Sequence, residues 1–219
     1  MTHSAAHPRP TIGIAGGIGS GKSTVARILS RLGCEVCISD DAARAVLEAP
    51  EVRSAIIARA GAQVAGPDGS IDRAALGRAI FADPALRAEV ERIMHPRIEA
   101  RRRAQFAAAP VSTRAFIIDA PLLFEVGLDR ECDAVIFVDA PRADRLARVM
   151  ATRGWDDAEL ARREASQIPV EEKRRRATHV VENVVESVAE RAVENLGDPT
   201  ALEKAVSRVL DEITGRRPT

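Results

Sequence analysis

Gly16-Gly17-Ile18-Gly19-Ser20-Gly21-Lys22-Ser23 fits the pattern G-x-x-x-x-G-K-[ST], and its flanks decide how it is read. Before it, Ile12 and Ile14 flank Gly13 in a short apolar run; after it, Val25, Ile28, Leu29 and Leu32 recur at helical spacing. Strand, glycine-rich turn and helix, in that order, distinguish a phosphate-binding loop from a ligand-free turn. Small residues let successive backbone N–H groups curl around phosphate oxygens at a helix N-terminus. Gly17, Gly19 and Gly21 permit that approach, and Ser20, Lys22, Ser23 and Thr24 complete the nucleotide-binding set. Lys22 reaches for the terminal phosphates, and the Ser23 hydroxyl suits Mg²⁺. Among 32 basic residues lysine occurs only as Lys22, Lys173 and Lys204, so a lysine at the motif position is not a by-product of composition. The implied ligand is ATP or GTP.

Working outward, Gly33 ends the first helix, and Val36-Cys37-Ile38 reads as a second strand running into Ser39-Asp40-Asp41. A helix follows from about Ala42. Residues 42–109 form a helical insertion with breaks at Pro50, at Gly61 to Ser70 and at Asp83-Pro84, and His95 before Pro96 reads as a further helix start. Phe116 to Ile118 and Val135 to Val138 are strands buried on both faces, ending in Asp119 and Asp139. Residues 142–176 are helical and arginine-rich, His179 to Glu182 makes a fifth strand, and 185–196 and 199–213 read as closing helices. Residues 1–10, with two prolines, read as a disordered tail in which His3 and His7 are solvated. The core is then 11–41, 110–141 and 177–214, and alternating strands and helices imply an α/β fold on a parallel sheet.

A chain of 219 residues, 46 % hydrophobic, can bury a sizeable core. Its 32 Lys and Arg balance 32 Asp and Glu, which gives no sequence-wide attraction to nucleic acid or to an anionic membrane. Cys34, Cys37 and Cys132 are too few to staple such a chain, and neither a signal-peptide pattern nor a spanning apolar run is present. A cytoplasmic protein, monomeric or a small homo-oligomer, is the expectation. Cys34-x-x-Cys37 leads into a strand, where residues three apart face opposite sides, and this favours structural cysteines over a redox or zinc pair.

Phosphoryl transfer to a hydroxyl needs an acid to orient the acceptor and take its proton, and such groups sit beyond the carboxyl ends of parallel strands. Asp40 occupies such a position; equally, Ser39, Asp40 or Asp41 caps the helix beginning near Ala42. Asp119 sits where a carboxylate holds Mg²⁺ directly or through water, the alternative being a turn residue before Pro121. Asp139 reads as the start of a turn.

Several motifs in order resemble the dephospho-CoA kinase family over nearly the whole chain. They are Ile12 to Thr24, Asp40 with Ala43-Arg44, Ile71-Asp-Arg-Ala-Ala-Leu-Gly77 with Ile80-Phe-Ala-Asp83, Met94-His95-Pro96, Asp119-Ala-Pro-Leu-Leu-Phe-Glu125 and Gln167-Ile-Pro-Val-Glu-Glu-Lys173. The resemblance implies a three-layer P-loop NTPase fold with a five-stranded parallel sheet, a substrate-binding insertion at 42–109 and a lid at 142–176. It implies phosphorylation of the ribose 3′-hydroxyl of dephospho-CoA by ATP, with Mg²⁺, giving coenzyme A and ADP in the final step of coenzyme A synthesis. Asp40 matches the family's base, although the family often has Asp-Ala-Asp where this chain has Ile38-Ser39-Asp40.

On the same resemblance His95 binds substrate, Leu122 and Glu125 belong to a substrate loop, and Arg97 meets an anionic part of the substrate or lies on a solvated face. Arg148 and Arg153 are the lid arginines, one residue further apart than the family's Arg-x-x-x-Arg. Either Asn183 or Asn195 lies near the adenine. Two rival readings are another P-loop small-molecule or nucleoside monophosphate kinase, and a nucleotide-sensing module with little turnover. The Asn-Lys-x-Asp base-reading motif of GTPases is absent from the sequence.

Overall fold

The computed structural model describes residues 9–184 and 199–215. Of the tail expected at 1–10, Arg9 and Pro10 are described and need correction: Arg9 Nη1 donates to the Pro110 carbonyl at 3.0 Å and the Pro10 carbonyl accepts from the Phe116 amide at 2.9 Å, which ties both residues to the fold. The rest of that tail, the helix over 185–196 and Asn195 lie outside the described residues. The chain divides into two compact units, one made of the residues up to Cys37 together with those from Pro110 onward, the other Ile38–Ala109.

The first unit is built on a five-stranded parallel sheet. Its strands are β1 (Thr11–Gly16), β2 (Glu35–Ile38), β3 (Phe116–Asp119), β4 (Ala134–Asp139) and β5 (His179–Glu182), in the order β2-β3-β1-β4-β5. β1 is central. Ile14 sits opposite Asp119 of β3 and Ile136 of β4, and Phe137 of β4 opposite Val180 of β5. Because side chains alternate, Ile12 and Ile14 face one side and Gly13 the other. Ile12 and Ile14 join Val25, Ile28 and Leu29 of α1 (Lys22–Arg31) and Val206 and Leu210 of α9 (Pro199–Thr214) in one apolar cluster. On the opposite face a side chain at Gly13 would run into Leu123, its Cβ 2.7 Å from a methyl carbon. Both faces are therefore covered, which accounts for strands with no polar alternation. Between β4 and β5 run α6 (Arg142–Arg153), α7 (Asp157–Glu164) and α8 (Val170–Arg176).

The second unit is helical: α2 (Ser39–Leu47), α3 (Pro50–Ala60), a 3₁₀ turn at Ala62–Val64, α4 (Arg73–Ala82) and α5 (Pro84–Ala108). Val46, Val52, Ile56, Val64, Leu76 and Val90 form its own core. Asp72 and Asp83 start α4 and α5 by accepting hydrogen bonds from Ala74, Ala75, Ala85 and Leu86 amides at 2.8–3.1 Å.

Two expectations for helix starts need correction. α2 begins at Ser39, not near Ala42, with Ile38 at its cap and no side chain capping it, so neither Ser39, Asp40 nor Asp41 serves as the cap. His95-Pro96 starts nothing, because α5 runs through it over 25 residues. Proline removes one helical N–H and crowds the carbonyl four residues earlier, but packing along the helix outweighs that loss. Arg97 donates to the Ile93 carbonyl at 2.7 Å, beside the carbonyl that Pro96 leaves without an amide donor.

Candidate active site

β1 ends at Gly16 and the chain turns through Gly17 to Gly21 into α1. Gly19 and Gly21 take φ of +78° and +95°, the left-handed region that glycine enters without steric cost. The Ser20 amide donates to the Gly17 carbonyl at 3.1 Å and closes the turn. Gly21 stands at the cap of α1, where no side chain takes up the first-turn N–H groups. The helix therefore begins with main-chain donors and the positive end of its dipole facing outward, the arrangement that receives an anion. Lys22 Nζ lies 3.5 Å from the Gly16 carbonyl, Ser23 is exposed, and Thr24 Oγ1 accepts from Arg27 at 3.3 Å. Ser20 is wholly buried, and its hydroxyl lacks a hydrogen-bond partner among the described residues.

Behind the loop stand three buried side chains. Arg145 Nη1 donates to the Ile18 carbonyl at 3.3 Å and pairs with Glu164. Arg148 donates from Nη1 to the Gly19 and Ser20 carbonyls at 3.2 and 3.1 Å, and from Nη2 to the Asn183 carbonyl at 2.9 Å. Asn183 Nδ2 donates to the same Ser20 carbonyl at 2.8 Å. Burial pushes the Arg148 pKa down, and the nearby Asp144 carboxylate opposes that shift. The guanidinium expected to meet phosphate from a lid is thus occupied by loop carbonyls. Arg153, its expected companion, is exposed, with its guanidinium 4.7 Å from the centre of the Trp155 ring, which Arg163 also covers at 4.0 Å.

Asp119, the last residue of β3, is buried and lies in register with Ile14, two residues before Gly16. A hydroxyl at Ser23 and a carboxylate at Asp119 are hard oxygen donors of the kind Mg²⁺ takes. No group of three or more His, Cys, Asp or Glu able to hold a metal occurs among the described residues. Such a sparse donor set fits an ion that arrives with phosphate oxygens and water as its remaining ligands. Asp139 ends β4 and accepts from Arg174 Nε at 3.0 Å.

Beyond β3, Leu122 is exposed, whereas Glu125 is engaged within the protein. Glu125 Oε1 meets Lys173 Nζ at 2.8 Å and accepts from the Ile168 amide at 3.0 Å; Lys173 also donates to Gln167 Oε1 at 2.9 Å. Lys173 is 2 % exposed, so this is a buried ion pair tying the loop after β3 to α8. Cys34 and Cys37 are buried and form no disulfide, and burial pushes the Cys34 thiol up to about 11.

In the helical unit Asp40 and Asp41 are exposed in the first turn of α2, Asp41 paired with Arg44 at 3.5 Å. Asp40 does not cap this helix, and its carboxylate stands in the first turn, where it also complements the helix dipole. His95 is exposed midway along α5. Sequence reasoning missed Arg145 and Lys173 and left Asn183 open. The scarcity of lysine was a usable signal for Lys173, while nothing local marks Arg145 among so many arginines.

A family model described as dephospho-CoA kinase matches residues 10–189. A dephospho-CoA kinase from Deinococcus radiodurans is 45 % identical over 188 residues, covering 84 % of this chain and 90 % of its own length. One from Anaeromyxobacter dehalogenans is 43 % identical over 209 residues, covering 94 % and 93 %. The crystal structure of TT1252 from Thermus thermophilus superposes with a TM-score of 0.76 at 35 % identity, covering 94 % of this chain and 98 % of that one.

Proposed function

The chain belongs to the dephospho-CoA kinase family, and from that premise we propose that it transfers the γ-phosphoryl group of ATP to the ribose 3′-hydroxyl of dephospho-CoA, giving coenzyme A and ADP. The observation that carries the reading is the loop itself: a glycine turn ending in an uncapped helix start, with Lys22 and Ser23 on its first turn and Asp119 on the adjoining strand. Main-chain amides of the turn and of the start of α1, those of Gly19 and Gly21 among them, and the Lys22 ammonium hold the polyphosphate and offset charge as the γ-phosphoryl moves. Ser23 and Asp119 hold Mg²⁺, which when bound neutralises charge on the phosphate oxygens. Asp40, two residues past the end of β2, takes the proton of the attacking hydroxyl. His95 and Leu122, both exposed, present groups to the acceptor, while Arg97 and Glu125, bonded within their own surroundings, keep helix and loop in shape. The protein works in the cytoplasm, as a monomer or small homo-oligomer.

The test is phosphoryl transfer by the purified protein with MgATP, comparing dephospho-CoA with nucleoside monophosphates and locating the new phosphate by ³¹P NMR. Dephospho-CoA is expected to be the preferred acceptor, phosphorylated at the 3′ position. Faster turnover of a nucleoside monophosphate would overturn the assignment, and ATP binding with no transfer would favour a sensing module. Asp40→Asn should keep ATP affinity and lower kcat by about 10²- to 10⁴-fold. Parental turnover in that variant would remove Asp40 as the base.

A further inference from the structure

We propose that Arg145, Arg148 and Asn183 are positioning residues that aim the amides of the phosphate loop by holding its carbonyls from behind. A trans peptide is planar, so its C=O and N–H point in opposite directions and fixing one fixes the other. The Ile18 carbonyl, held by Arg145, shares a peptide plane with the Gly19 N–H. The Ser20 carbonyl, held by both Arg148 and Asn183, shares a plane with the Gly21 N–H. The Gly19 carbonyl, also on Arg148, shares a plane with the Ser20 N–H that closes the turn onto Gly17. Consecutive carbonyls at 18, 19 and 20 are thus drawn to one side of the loop, and the Gly19 and Gly21 amides turn to the other.

Glycine leaves this loop little intrinsic preference for any one conformation, so an external template is needed to make the cradle before ligand arrives. Charge-assisted hydrogen bonds supply it. Glu164 orients Arg145, and Arg148 spans the loop and the Asn183 carbonyl just past β5, so the template is anchored to α7 and to the sheet. The close fit leaves no slack: a Cβ at Gly17 would lie 2.9 Å from Arg145 Nη1, and one at Gly21 would collide with the Asn183 amide.

This inference rests on the loop being the polyphosphate cradle proposed above, and its test uses a probe that needs neither nucleoside nor acceptor. Binding of inorganic tripolyphosphate is measured calorimetrically, together with the ¹⁵N–¹H resonances of Gly19 and Gly21 in the ligand-free protein. Arg148→Ala should weaken tripolyphosphate by about 10- to 100-fold, and Asn183→Ala by about 3- to 10-fold. Both should shift the Gly19 or Gly21 amide resonances before any ligand is added, a signature that lost stability alone does not give. Arg148→Lys keeps the charge but loses the planar fork, so it should behave like the alanine variant. It also carries the test, with Asn183→Ala, should Arg148→Ala fail to fold. Arg175→Ala, on the exposed surface of α8, should match the parent. Parental affinity or unshifted amides in folded Arg148→Lys and Asn183→Ala overturns the proposal while leaving the kinase reading intact. A parent protein that binds no tripolyphosphate defeats both.

Discussion

Gly19 and Gly69 share nearly the same positive φ, +78° and +76°, but a methyl group would meet different surroundings at the two positions. At Gly69 nothing lies within 4 Å of the added carbon, so Gly69→Ala pays only the left-handed strain of about 1–2 kcal/mol in stability and leaves phosphate binding untouched. At Gly19 the same carbon falls 2.6 Å from the Arg145 carbonyl oxygen, main chain that cannot rotate away. Gly19→Ala must displace the loop or α6, and tripolyphosphate affinity should drop by about tenfold or more. Calorimetric titration with thermal melting of both variants separates the two costs; equal affinities would show that the loop tolerates the shift. Cys34 offers a pH test at the same scale. Its thiol is held near 11 in the fold against 9.0 as a free group, so the contribution to stability is intact below pH 9 and lost as pH rises toward 11. The parent should therefore lose stability over that interval relative to Cys34→Ala in denaturant titrations.

The ion pair between Glu125 and Lys173 joins two elements, the loop after β3 and α8, inside the protein. Removing one partner of a buried pair leaves the other charge stranded, so Lys173→Met should cost about 3–5 kcal/mol in urea unfolding. Lys173→Met with Glu125→Leu should recover most of that loss, and a double variant as unstable as the single would deny the coupling. Elements such as these separate what the chain's local pattern discloses from what it hides. β1, β3 and β4 are legible because short apolar runs bounded by glycine, aspartate and proline read as buried strands, whereas β5, with His179 and Glu182 at its ends, is legible chiefly from its place in the α/β alternation. The start of α2 is not, because three polar residues after a strand look like a cap whether or not they serve as one. Pro96 misleads for the converse reason: its local penalty is real, and only the packing of a long helix overrides it. The phosphate loop is legible as a motif, but its supports lie 127 to 163 residues away and reach main-chain carbonyls, which carry no side-chain signature.

Each unit of the molecule has its own apolar core, Ile14 lying in that of the sheet and Ile56 in that of the helices, both fully buried. All the groups that shape the phosphate loop, from Gly16 through Arg145, Arg148, Glu164 and Asn183, belong to the unit containing the sheet. Polyphosphate binding should therefore respond to damage in one core and not the other. Ile56→Ala and Ile14→Ala each remove a buried side chain at a cost of about 2–5 kcal/mol. In Ile56→Ala, measured where the protein remains folded, tripolyphosphate affinity should stay within about twofold of the parent, because no carbonyl or amide of the loop depends on that core. Ile14 precedes Gly16 on the same strand, and a cavity there loosens the base from which the loop departs. Ile14→Ala should weaken tripolyphosphate measurably, with Gly19 and Gly21 amide resonances broadened. An affinity loss as large in Ile56→Ala as in Ile14→Ala would mean that the helical unit also helps to set the shape of the cradle.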